Sequence, residues 1–130
     1  MPEVLRWANA EREVRAWLIP RLSVGSAGVV TETTTTVPEK YVKVERAGGR
    51  GDGPLDKLVQ IEVAVHARTR GDMWALVGEV ETAFAALATN GTPGMYVDEV
   101  EETFAFAADP MPSQDVRRAI ATYTLTVRPR

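Results

Sequence analysis

Apolar and polar positions change period several times along the chain, and each change marks an element. Between Trp7 and Leu18, the residues Trp7, Ala10, Val14, Trp17 and Leu18 recur at helical spacing with Glu11, Arg12, Glu13 and Arg15 between them. That pattern predicts an amphipathic helix, which Pro20 should end. Val29 to Val37 carries the run Thr31-Glu32-Thr33-Thr34-Thr35-Thr36, β-branched and suited to a half-exposed pleated surface, so it predicts a strand. Tyr41 to Arg46 alternates, with Val42 and Val44 on one face and Lys43 and Glu45 on the other, and the glycine-rich segment 47–56 after it reads as a flexible exposed loop. From Leu58 to Arg68 the alternation is clearest: Val59, Ile61, Val63, Val65 and Ala67 share one face, and Gln60, Glu62, His66 and Arg68 the other.

The period then changes to a helical one. From Asp72 a broad stripe of Trp74, Val77, Glu81, Phe84 and Leu87 with Met73, Leu76 and Val80 runs to Asn90-Gly91, which predicts a second helix covering the sheet. Met95 to Phe106 and Ile120 to Arg128 read as two final strands, the last with Ala121, Tyr123, Leu125 and Val127 inward and Thr122, Thr124 and Thr126 outward, and with Asp109-Pro110-Met111-Pro112 as a turn or loop between them. The resulting order, α-β-β-β-α-β-β, predicts an α+β fold: a mostly antiparallel sheet of about five strands with two helices side by side on one face. The opposite face, rich in Thr, Glu, Gln and Arg, would be wet or available to a polar partner.

Composition narrows the picture without changing it. A chain of 130 residues fits one domain, 1–130. No apolar stretch approaches the roughly 20 residues needed to cross a bilayer, and Glu3, Arg6, Glu11, Arg12 and Glu13 interrupt any apolar signal core. With no cysteine, stability rests on packing and a reducing compartment suits the protein. The net charge of −3 argues against a protein that coats nucleic acid, since such affinity rests on Lys and Arg; Arg117-Arg118 and Arg128-Pro129-Arg130 are the compact basic groups.

Chemistry is sparse. His66, the single histidine, could act as a general base with Glu62, but Ser23, Ser26 and Ser113 have no nucleophile-elbow pattern around them, and the structural reading is preferred. The cluster Asp98-Glu99-Val100-Glu101-Glu102 could bind a hard cation. An alternating strand would divide those carboxylates between two faces, so a solvated or subunit-facing acidic strand is the better reading. Pairing with Arg46, Arg68 or Arg117 across an interface would then help to set orientation and register. Gly48-Gly49-Arg50-Gly51-Asp52-Gly53 imitates a phosphate loop and contains an Arg-Gly-Asp tripeptide, yet leads into a strand and lacks the Lys and Ser or Thr a phosphate cradle needs. It is either a plain connection or an arm that orders against a neighbour. Trp7, Trp17 and Trp74 fit the apolar faces of the helices, with Trp7 also placed to anchor an intersubunit contact. No cofactor or metal site is expected, and the chain reads as non-enzymatic.

The whole pattern resembles the tail-terminator and minor-tail proteins encoded in the head-tail connector modules of long-tailed actinobacterial phages. The likeness spans nearly the full chain. It is carried by Val4-Leu5-Arg6-Trp7, by Val44-Glu45-Arg46-Ala47-Gly48-Gly49 running into the glycine segment, and by Asp56-Lys57-Leu58-Val59-Gln60-Ile61-Glu62-Val63. It continues with Arg70-Gly71-Asp72 opening an alanine-rich helix, and with the ending from Asp109-Pro110-Met111-Pro112 to Arg117-Arg118-Ala119-Ile120-Ala121-Thr122-Tyr123-Thr124-Leu125-Thr126-Val127.

The resemblance implies a subunit of a ring, typically a hexamer, that stops tail-tube growth and joins the tube to the head connector or stopper protein. It further implies a place in the virion tail or neck after assembly in the host cytoplasm. Genomic double-stranded DNA would pass through the pore without sequence-specific binding, and no membrane would be involved. A ring requires a heterologous, closing interface, and an exposed sheet face or edge with the 47–56 loop could supply it. On that argument Arg46, Arg50, Asp52, Glu62 and Arg68 are the candidate intersubunit or tube contacts; the resemblance carries no residue-level motif for them. Three other readings stay open: a different neck or head-completion subunit, a small hydrolase or isomerase using His66 with Glu62, and a ligand-binding α+β module with a deep apolar pocket.

Overall fold

The computed structural model describes residues 8–32, 37–51, 57–110 and 116–129. Its elements are α1 (Ala10–Leu18), β1 (Val29–Val30), β2 (Tyr41–Gly51), β3 (Lys57–Ala67), α2 (Arg70–Asn90), β4 (Met95–Asp109) and β5 (Arg117–Pro129). The predicted α-β-β-β-α-β-β order is the observed one. The five strands form one sheet in the order β1-β2-β3-β5-β4, antiparallel throughout except for the parallel β1–β2 pair.

Helix α1 begins where Asn9 caps it, its side chain accepting from Arg12 N at 3.1 Å. Trp7, predicted as its first turn, lies outside the described residues. Pro20 falls in a single 3-10 turn, Ile19–Arg21, that closes the helix. Helix α2 begins at Thr69, whose Oγ1 accepts from Asp72 N at 3.1 Å, and ends at Gly91 with φ of 64°, a left-handed position that glycine takes without cost. Both helices lie over one face of the sheet. Trp17 joins them: it is buried and donates from Nε1 to Ala83 O at 2.8 Å. Glu79 of α2 also accepts from Ser23 N and Oγ at 2.7 and 2.9 Å, which ties the connection after α1 to the second helix.

The core is the set of strand positions the alternation selects. Val59, Ile61, Val63, Val65, Ala67, Ala119, Ala121, Tyr123, Leu125 and Val127 are buried in one core with Met73, Leu76, Val77, Val80, Phe84 and Leu87 of α2, and Val42 and Val44 of β2, the strand on which α1 packs, are buried with them. The Phe84 ring lies flat on Tyr123, centroids 4.0 Å apart.

Four details depart from the sequence reading. The strand expected over Val29–Val37 is only two residues long where described, with Thr31 and Glu32 in bends; residues 33–36 lie outside the described set. β1 has β2 as its one neighbour, and β propensity without a second ladder does not hold a longer strand. In contrast, β2 runs on through Gly48 to Gly51, where a loop was expected, and pairs with Lys57 to Gln60. Glycines carry no side-chain pattern, so backbone pairing there is invisible to periodicity; a bulge at Ala47 and positive φ at Gly48 and Gly49 accommodate it. Residues 52–56 of the predicted loop lie outside the described residues. The final two strands are also longer than predicted, β4 because three register shifts break its alternation after Val97. Finally, Trp74 is not core: it is 37% exposed, with the Arg70 guanidinium 5.9 Å from the ring centroid. The stripe to which its spacing assigns it is completed by its neighbours Met73 and Val77.

Candidate assembly surfaces

Among the described residues the fold leaves three surfaces uncovered: the sheet face opposite the helices and the two sheet margins. The candidate residues do not converge on one of them. Arg46 sits at the β2 bulge, exposed, with its backbone N–H donating to Glu11 Oε2 at 2.9 Å. Glu62 lies mid-sheet on the uncovered face between Glu45 and Thr122. Arg68 follows β3 at the other end of the β2–β3 hairpin and is paired with Glu39 at 2.8 Å. Arg50 belongs to the β2 strand opposite Leu58, toward the far end of the hairpin from Arg68. Asp52 lies outside the described residues. Since a strand rises about 3.3 Å per residue, this set is strung along the length of the hairpin rather than gathered in one patch.

The uncovered face has two halves. Toward one end it is polar, with Gln60, Glu62, Thr122, Thr124 and Thr126 in adjacent strands, and Thr103 Oγ1 meeting Thr124 Oγ1 at 2.5 Å. Toward the other end, Ala64, Ile120 and Ala107 form an apolar row across β3, β5 and β4, with Phe104 beside it at 69% exposure.

Next to that row runs Tyr41–His66–Arg118–Asp109, one residue from each of four strands. His66, predicted on a wet polar face, is on that face but only 5% exposed, because the Tyr41 ring stacks on it at 4.2 Å and 5°. Arg118 pairs through Nη2 with Asp109 Oδ2. Burial first, and then the Arg118 charge, lower the His66 pKa from 6.5 to about 4, which keeps the imidazole neutral near pH 7. Glu62 lies four residues from His66 along the strand, roughly 13 Å at strand rise, so the two do not form a catalytic pair.

The acidic cluster is divided as a strand divides it. Asp98 is held by Arg128 through two hydrogen bonds of 2.6 and 2.9 Å, which lower its pKa below the usual carboxylate range. Glu99, Glu101 and Glu102 are exposed along β4. Among the described residues no three His, Asp or Glu side chains converge on a point that could hold a metal ion, and no helix is long and apolar enough to cross a membrane. The grooves bordered by described residues, such as the one between α1 and β1 lined by Asn9, Arg12, Arg15 and Val30, are open to solvent.

The two margins differ. β4 is outermost on one side, paired with β5 alone. On the other side, β1 covers only Val42 and Lys43 of β2, so among the described residues β2 from Glu45 to Gly51 has β3 as its single strand neighbour. Periodicity missed the exposed Phe104, which alternates with Phe106 as a core position would; Tyr96, between the buried Met95 and Val97, is exposed where alternation puts an outward residue. The uninterrupted run Phe104-Ala105-Phe106-Ala107-Ala108, too long and too uncharged for a solvated edge, was the available signal.

These features define an open-faced α+β sheet protein without an enclosed cavity among its described residues. No protein-family model matches the chain, and no curated protein does. Among solved structures, a chain from the virion of a native gene transfer agent particle shares the fold with a TM-score of 0.60 and 14% identity, covering 93% of this chain and 99% of that one. At that identity the likeness is one of fold.

Proposed function

We propose that the protein is a structural subunit of a phage-like particle, and within that class a tail terminator. Copies would form a ring, typically hexameric, that caps the tail tube and offers the opposite surface to the head connector, leaving a pore for double-stranded DNA. The observation that carries the reading is the end-to-end likeness to a chain of a gene transfer agent virion, which leaves almost no residue of either chain unmatched. The sequence resemblance to tail-terminator proteins narrows it to the terminator.

The test is electron microscopy of purified protein alone and mixed with tail tubes from a particle that lacks its own terminator. Rings seated on one tube end, with tubes held to uniform length, support the proposal. Tubes that stay bare and polymerise without limit rule it out, and rings that bind isolated head connectors but never tubes assign the chain to a different neck position.

A further inference from the structure

The register of the sheet places its two margins in correspondence. Arg46 of β2 is opposite Ile61, Ile61 opposite Tyr123, and Tyr123 opposite Glu102, so an arginine and a glutamate occupy one row at opposite edges of the sheet. Neither has a side-chain ion pair within the described chain. Four rows along, Val29 of β1 is in register through Val42, Val65 and Ala119 with Ala108 of β4, and Val30 is likewise in register with Ala107. Cationic therefore matches acidic, and apolar matches apolar, without any stagger. The strand directions agree as well, because β4 runs antiparallel to β1 and β2.

β4 itself is 15 residues long, against the usual five or six or so, and only its first half is defended. Glu99, Glu101, Glu102 and the bulges at that end discourage indiscriminate edge pairing, as soluble proteins require. From Phe104 to Ala108 no charge interrupts the edge, and Phe104, Ala105, Ala107 and Ala108 are exposed. An undefended apolar edge beside a charged one is the arrangement expected where a specific strand, rather than solvent, completes the sheet.

We propose that β4 of one copy lies along the β1–β2 margin of a second copy through side-chain contact, since the Arg46 N–H and the Val29 carbonyl at that margin are already held by Glu11 and Arg15, with Glu102 meeting the neighbour's Arg46 and the 104–108 edge covering its Val29–Val30 margin. The interface is heterologous, so repetition closes a ring or propagates, and it deepens the terminator reading on which it rests.

A charge-exchange cycle read by light scattering and sedimentation tests this, with protein up to the order of a millimolar, the weak limit of specific association. Glu102→Arg and Arg46→Glu should each weaken association by about tenfold or more, by setting like charges against each other. The double variant, with opposite charges again facing, should recover most of the loss. Singles that associate like the wild type, or a double as weak as the two losses combined, overturn the pairing. The chain has no cysteine, which permits a second measurement: Glu45→Cys with Phe104→Cys, which share one row through Glu62 and Thr122, treated with a short bismaleimide, should yield a ladder beyond dimer, whereas either single variant should not. Efficient dimerisation of Phe104→Cys alone would indicate symmetric β4–β4 contact and overturn the proposal, as would a monomer at every concentration. Rings on tube ends that ignore the charge exchange would sink the pairing and leave the terminator reading standing. A cycle that behaves as expected in a protein that never caps a tube would do the reverse.

Discussion

Tyr123 is read correctly from sequence as an inward strand residue and still carries a surprise. It is buried under Phe84, and among the described residues its hydroxyl has no hydrogen-bond partner; burial, and then the nearby Glu102 and Glu81 charges, push its pKa well above the usual tyrosine value. A buried unsatisfied hydroxyl costs about 1–3 kcal/mol, so Tyr123→Phe should leave stability unchanged or raise it by up to about 1 kcal/mol in urea denaturation. A clear loss would show that the hydroxyl is used. His66 makes a second prediction. Its folded pKa is about 4 and its unfolded one near 6.5, so the unfolded chain takes up the proton first. The neutral histidine's contribution is intact above pH 6.5, declines as the pH falls from 6.5 toward about 4, and levels off below that. The total is up to roughly 3 kcal/mol. His66→Phe, which keeps the stack on Tyr41, should flatten the denaturation midpoint between pH 7 and 4.5 relative to wild type; parallel slopes would refute the assignment. Periodicity put His66 on the outer face but could not see that Tyr41 covers it, because the cover comes from another strand.

Among the elements, the strongest expectations survived where one face alone meets the core. β3 and α2 appear where the alternation and the helical stripe put them, since burial of one side enforces the period. Glycine-rich β2 and bulged β4 were under-read, the first because glycine has no side chain to pattern and the second because each bulge resets the alternation. Two glycine substitutions separate these situations. Gly49 has φ of 133°, and a Cβ there would collide with the Leu58 carbonyl oxygen, so Gly49→Ala should cost about 1–3 kcal/mol and loosen the hairpin end in amide exchange. Gly78, exposed in the middle of α2 with open space where a Cβ would stand, should respond in the opposite sense. Gly78→Ala is expected to raise stability by about 0.5–1 kcal/mol through helix propensity and lost unfolded-state freedom. Thermal or urea unfolding that ranks the two variants the other way would contradict the β2 extension.

Across the whole molecule, helices cover one side of the sheet and leave the other side and both margins for partners. If neighbouring copies meet through Glu102 and Arg46, association should weaken as salt is raised from about 0.05 to 0.5 M, because exposed charges are screened beyond the shortening Debye length. Association that strengthens with salt would instead assign the contact to the apolar patch of Phe104, Ala107 and Ile120. The sequence by itself determined the class of fold, the element order and the identity of the core, since these follow from local period and from the free energy of burying apolar side chains. Only the tertiary structure decided which residues share a row from one margin to the other, which face His66 presents to a ring, and that Trp74 and Phe104 stay outside. Those facts depend on strand order and register, which pairing between distant segments sets and no local pattern records.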